Sequence, residues 1–126
     1  MMIIKNLDII HGQKKEMNRL IASEHDIQNA IYGYLGALGW LVWRNNSGMV
    51  KTDKGYMIKM GRAGLPDLFA LKDGILLGVE VKKPGKKPTE IQEYMLQDLQ
   101  KHGAQTIVAT SIDDVTLKLT ELERKI

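Results

Sequence analysis

Apolar residues recur at Ile27, Ile31, Leu35 and Leu38, close to helical spacing, between a serine suited to cap a helix (Ser23) and a glycine suited to end one (Gly39). The pattern predicts a helix. Trp40 to Arg44 is rich in strand formers and stops at the turn cluster Asn45-Asn46-Ser47-Gly48, which predicts a strand with both Trp40 and Trp43 in the core. Met49-Val50-Lys51 and Tyr56-Met57-Ile58-Lys59 flank Thr52-Asp53-Lys54-Gly55 as a hairpin with a basic outward face. After the loop Gly61 to Pro66, the runs Asp67 to Leu71 and Ile75 to Lys82 pair across Lys72-Asp73-Gly74. Both are nearly continuous apolar stretches, as expected of central, buried strands.

Thr89 stands three residues before Gln92 in capping-box spacing and opens a second helix with Ile91, Met95 and Leu99 facing inward and Gly103 at its end. Thr106 to Thr110 reads as a fourth core strand. Asp113 or Asp114 is expected to cap a last helix carrying Val115, Leu119 and Leu122 on one side. This order predicts an α/β fold, a mixed central β-sheet flanked by helices on both faces. Residues 1–22 lack a clear period and read as an irregular arm followed by a short helix, with Met2, Ile3, Ile4, Leu7, Ile9, Ile10, Met17, Leu20 and Ile21 as its apolar positions. No repeat or linker divides the rest, so residues 23–126 are expected to form a single domain.

Composition narrows the chemistry. The chain has no cysteine, which removes disulfides, thiolate catalysis and sulfur-based zinc sites together. His11, His25 and His102 lie far apart in sequence, so a metal would be held by hard oxygen ligands. The longest uncharged apolar stretch, Ile31 to Trp43, contains three glycines and falls short of the roughly 20 residues a bilayer span needs. Lys5 and Asp8 interrupt the apolar start before a leader can form, so the protein is expected in the cytoplasm. Charge is uneven. Residues 44–87 hold ten Lys/Arg against four acids, a balance of 10 − 4 = +6 within a net charge of +3. A basic middle of this kind suits a polyanion, most often nucleic acid.

The candidate chemistry lies on the two central runs. Asp67 stands at the mouth of one, and Glu80 and Lys82 project from one face of the other while Val81 points into the core. A carboxylate between Val79 and Val81 needs a compensating charge, either a metal or Lys82. Asp67, Glu80 and the main-chain carbonyl of Val81 offer three oxygens suited to Mg²⁺ or Mn²⁺. The acid-x-lysine triplet alone decides little, since Glu123-Arg124-Lys125 repeats it at a helix end. Its context discriminates: Gly-x-Pro-Asp opening a buried strand, an Asp-Gly turn, then Glu-x-Lys. Simpler readings stand beside each assignment. Glu24 is also a first-turn acid favoured by the helix dipole, Gln92 a capping partner and Asp67 a turn residue after proline.

Gly64-Leu65-Pro66-Asp67, Glu80-Val81-Lys82, Gln92 on the following helix and Glu24 on a preceding one resemble the VRR-NUC family of the PD-(D/E)xK nuclease superfamily, over about residues 23–114. The resemblance implies a restriction-endonuclease-like core and a divalent-metal-dependent DNA endonuclease. Stand-alone members, of phage or bacterial type, imply homodimers acting on branched DNA such as Holliday junctions. Asp67, Glu80 and Val81 would then bind metal, Lys82 would orient water or stabilise developing charge, and Glu24 and Gln92 would complete the site. The related exonuclease pattern Gln-x-x-x-Tyr is not met, because Leu96 occupies the tyrosine position. Arg44, Lys51, Lys54, Lys59, Arg62, Lys83, Lys86 and Lys87 are the candidate phosphate contacts. Two other classes stay open: a non-catalytic module binding DNA structures, and an interaction subunit docking through residues 1–22.

Overall fold

The computed structural model describes residues 22–45, 49–59 and 61–125. The proposed arm therefore falls almost entirely outside the described residues, as does the Lys59 side chain. Helix α1 (Glu24–Ala37) starts at Ser23, whose hydroxyl accepts from the Asp26 N–H while the Asp26 carboxylate accepts from the Ser23 N–H. This capping box satisfies donors that a helix start leaves free. Its buried stripe is Ile27, Ile31 and Leu35. Leu38 lies past the helix end and is exposed, its carbonyl accepting from Lys72 Nζ at 2.8 Å.

Strand β1 (Leu41–Arg44) leads into a separate two-stranded ribbon, β2 (Met49–Lys51) with β3 (Met57–Lys59), and the chain then returns as β4 (Leu68–Lys72) and β5 (Ile75–Val81). Helix α2 (Glu90–Lys101) crosses over to β6 (Gln105–Ala109), and α3 (Ile112–Arg124) follows. The main sheet runs β1-β4-β5-β6, antiparallel except for the parallel β5–β6 pair. The Thr106 to Thr110 segment is thus an edge strand, with Val108 partly exposed. Lys72 pairs with Ile75, so the β4–β5 turn is only Asp73-Gly74, and both residues have positive φ (52° and 79°). That is the two-residue turn whose twist matches flanking strands.

Side-chain alternation sorts the helices to the two faces. Leu77, Val79 and Val81 of β5 join Leu68 and Ala70 of β4 in one cluster with Ile31 and Leu35 of α1 and Val115 of α3. Burying each of the valine, leucine and isoleucine side chains contributes about 1.5–3 kcal/mol. Gly78 and Glu80 face the other way, toward the side where Gln100 of α2 bonds Thr106 of β6.

Three further expectations shift. Ile91 is 60% exposed, and α2 instead buries Met95 and Leu96, because its first turn lies against the loop before β4 rather than over the sheet. The cap of α3 is Ser111, which accepts from the Asp114 N–H, because Asp114 is engaged by the N–H and hydroxyl of Thr110. Trp40 packs partly against the core. Trp43 is 37% exposed and lies against Phe69, ring centroids 5.7 Å apart, on the face away from α1. Among the described residues no helix is long and apolar enough to cross a membrane.

Candidate active site

The chain reaches Asp67 through a path that permits few side chains. Gly64 has φ +78°, and a Cβ there would stand 2.7 Å from the Ile91 carbonyl oxygen, so only glycine lets the loop touch the first turn of α2. Pro66 is buried over Gly78, where an added Cβ would meet its Cγ at 3.0 Å and the Phe69 ring at 3.3 Å. Asn45, at the end of β1, clamps the same segment. Its N–H donates to the Asp67 carbonyl (2.9 Å) and its Nδ2 to the Pro66 carbonyl (2.7 Å).

The last ladder pair between β4 and β5 is Leu68 with Val79, and one further step of that register sets Asp67 opposite Glu80. Directly opposed side chains in an antiparallel pair have Cβ atoms about 4.5–5.5 Å apart, so two carboxyls meet at the strand ends. Asp67 Oδ2 accepts from the Val81 N–H at 2.7 Å. The N–H and C=O of one strand residue point to the same side. The Val81 carbonyl therefore faces the edge that β4 has vacated, while the Lys82 N–H turns to β6 and donates to Ala109.

Glu80 is 1% exposed, and its Oε2 has no hydrogen-bond partner among the described residues. Lys82 Nζ stands 3.8 Å from Oε1. Burial, then the neighbouring Asp67 carboxylate, push the Glu80 carboxyl up to about 8 against the opposing pull of Lys82, with Glu24 adding a smaller upward push. A buried acid with an orphaned oxygen beside a second acid is a site short of positive charge. Asp67, Glu80 and the Val81 carbonyl form an all-oxygen donor set that fits Mg²⁺ or Mn²⁺, with water and phosphate left to fill the remaining positions. No group of three or more Asp, Glu, His or Cys suited to a metal occurs among the described residues, so an ion here would have to draw on main-chain oxygen beside the two carboxyls.

Glu24 reaches this end of the sheet from α1, its Oε1 accepting weakly from the Lys83 N–H (3.4 Å). Gln92 fills its capping role, Oε1 accepting from the Thr89 N–H at 2.9 Å, and it also lines an open groove with Gly64, Asp67 and Thr89. The structure shows the capping role of Gln92 directly, and the same residue borders the groove that holds Asp67. Lys83, Lys86 and Lys87 lie in the exposed loop after Lys82, and Lys51 and Lys54 on the ribbon. Arg62 lines a second groove with Met95, Asp98 and His102. Arg44 sits apart from the site. It pairs with Leu68 on the α1 side of the sheet, its guanidinium 4.1 Å over the Tyr32 ring and bonded to Asn29 at 2.8 Å. Asn45 escaped the sequence reading, since an asparagine after a strand signals only a turn and its partners lie 21 and 22 residues away.

The fold is similar to a solved structure described as a VRR_NUC domain, at 30% sequence identity and a TM-score of 0.58, the match covering 79% of this chain and 97% of that one. A second structure, described as a VRR_NUC domain protein, shares the fold at 21% identity and a TM-score of 0.56, covering 79% and 87% of the two chains. No family model and no curated protein matches the sequence. With these neighbours, the mixed four-stranded sheet and its helices form a restriction-endonuclease-like α/β fold, as the resemblance implied.

Proposed function

The chain belongs to the VRR-NUC domain family, and from that premise we propose that it is a divalent-metal-dependent endonuclease that hydrolyses phosphodiester bonds in DNA, with branched DNA such as Holliday junctions as substrate. The observation that carries this reading is the buried Glu80 carboxylate, orphaned at Oε2 between Asp67 and Lys82.

Asp67, Glu80 and the Val81 carbonyl would hold Mg²⁺ or Mn²⁺, which when bound polarises a phosphoryl oxygen and makes water a stronger nucleophile near neutral pH. The residues around it supply the rest. Lys82 places a cation beside the site where negative charge grows on the phosphoryl oxygens. The N–H of Val81 fixes the Asp67 carboxylate, so one of its oxygens is oriented before substrate arrives. Gln92 offers its amide along the groove that ends at Asp67, and Glu24 steadies the main chain at Lys83. The exposed Lys83, Lys86 and Lys87 lie beside the site and suit the flanking phosphates. The product is a nick bearing a 5′-phosphate. A homodimer suits the small recognition surface of one domain, since two-fold symmetry would double the footprint.

The test is incubation of the purified chain with single-stranded, duplex, flap and four-way DNA in Mg²⁺, Mn²⁺ or chelator. Cleavage of branched DNA that needs the cation is expected. Binding without cleavage under every metal condition would leave a DNA-binding module in place of an enzyme.

A further inference from the structure

Among the described residues the ribbon β2–β3 adds no side chain to the core cluster. It forms a sheet of its own, and its substantial contacts with described elements are internal. Yet Tyr56, Met57 and Ile58 are 69%, 57% and 51% exposed. In its register Lys51 opposes Met57 and Val50 opposes Ile58, and the Thr52 N–H donates to the Tyr56 carbonyl at 2.7 Å, closing the ribbon at its turn. Tyr56 and Ile58 therefore share one face and Met57 takes the other, so both faces present apolar side chains to solvent. A lone two-stranded ribbon is marginal in water, and one with apolar groups on both faces is suited to being enclosed by something else.

Charge identifies the occupant. Between positions 49 and 62 stand Lys51, Lys54, Lys59 and Arg62 against the single acid Asp53. Apolar side chains interleaved with cations suit a nucleic acid, whose phosphates take the cations and whose bases take the apolar and aromatic surfaces. Placement agrees. The ribbon leaves the core just after Asn45, which is bonded to Pro66 and Asp67, and re-enters through Gly64 to Asp67 itself. The described segments on either side of the ribbon thus meet at the main chain of Pro66 and Asp67.

We propose that this ribbon reads DNA structure, with Tyr56 stacking on a base left unstacked at a branch or unpaired site while the flanking cations hold the backbone. An intact duplex offers no free base face to a tyrosine, whereas a junction or flap does, so the contact favours branched DNA. The inference rests on the nuclease reading of the preceding section.

The experiment measures binding of the full chain carrying Glu80→Gln, in Mg²⁺, to a four-way junction and to a duplex of equal length, by fluorescence anisotropy. 2-Aminopurine at the branch point reports stacking. Tyr56→Ala is expected to lower the junction-to-duplex affinity ratio about tenfold and to abolish the stacking signal, whereas Tyr56→Phe keeps both. An unchanged ratio, or an equal loss on both DNAs, overturns the ribbon's role. A smaller particle for Tyr56→Ala in light scattering overturns it too, assigning the surface to a second copy of the chain. The two readings fail separately. Cleavage by the unsubstituted chain together with an unchanged ratio sinks only the ribbon, whereas no binding and no cleavage of any DNA by that chain sinks the nuclease reading and the ribbon with it.

Discussion

The molecule contains two β-hairpins of opposite fate. The β4–β5 hairpin lies at the centre of the main sheet, between β1 and β6, with helices packed over it. The β2–β3 ribbon has the same connectivity and a glycine at positive φ in its turn, but no other described strand pairs with it. Hairpin formation as such is local and cheap. What separates the two is burial. Leu77 and Val79 are fully buried, while Met57 and Ile58 are half exposed. The buried hairpin can hold two carboxyls opposite each other against their repulsion because its register is fixed by the core. The free one can adapt its side chains to a ligand, because no packing depends on them.

The largest difference between the two hairpins is expected in the chemistry. Asp67→Asn and Glu80→Gln are each expected to lower metal-dependent cleavage by about 10³-fold or more, and Lys82→Ala by about 10²–10³-fold, with the fold retained by circular dichroism. Full activity in all three would place the site elsewhere.

Core substitutions sharpen it next. Leu77→Ala should destabilise by about 3 kcal/mol, whereas Ile58→Ala on the ribbon should change stability by less than about 0.5 kcal/mol. Urea unfolding of the two variants side by side measures the contrast. Equal costs would mean that the ribbon packs into the fold after all.

The smallest effect is pH dependence in chelator. Glu80 ionises near its ordinary value of 4.5 in the unfolded chain and near 8 in the folded one. Between these values the folded state carries the extra proton, so its stability is greatest below about 4.5 and declines as pH rises through about 8. Glu80→Gln should remove that slope and raise Tm at pH 8 by roughly 5–10 °C. Melting curves from pH 4 to 9 decide it, and parallel curves for the two proteins would show that Glu80 ionises at its ordinary value in the folded chain as well.

Much of this was legible from periodicity and capping. The helical spacing of Ile27, Ile31 and Leu35, the Thr89–Gln92 box and the Asp-Gly turn all act over a few residues, which is the range a sequence pattern reports. Alternation alone put Glu80 opposite in direction to the buried Val81. The misreadings have a common cause, in that a long-range contact chose between local options. The loop at Gly64 set which face of α2 is buried and left Ile91 outside. Thr110 claimed Asp114 and so left the capping of α3 to Ser111. The clamp by Asn45 has no local signature at all.

The two-residue turn at Asp73-Gly74 lies at the opposite end of the hairpin from the acids. It nevertheless acts as the ruler of the candidate site. Each rung from Lys72–Ile75 to Leu68–Val79 is counted from that turn, and the next rung is Asp67–Glu80. Were β5 to slip by one residue against its neighbours, Glu80 would rotate into the layer occupied by Leu77, Val79 and Val81, and a valine would face the groove. An insertion or deletion at the turn is therefore a change of gauge rather than a loop variation. Among sequences of this fold, the number of residues separating the two acids should vary only in ways that keep the turn's phase, however freely the surrounding surface drifts.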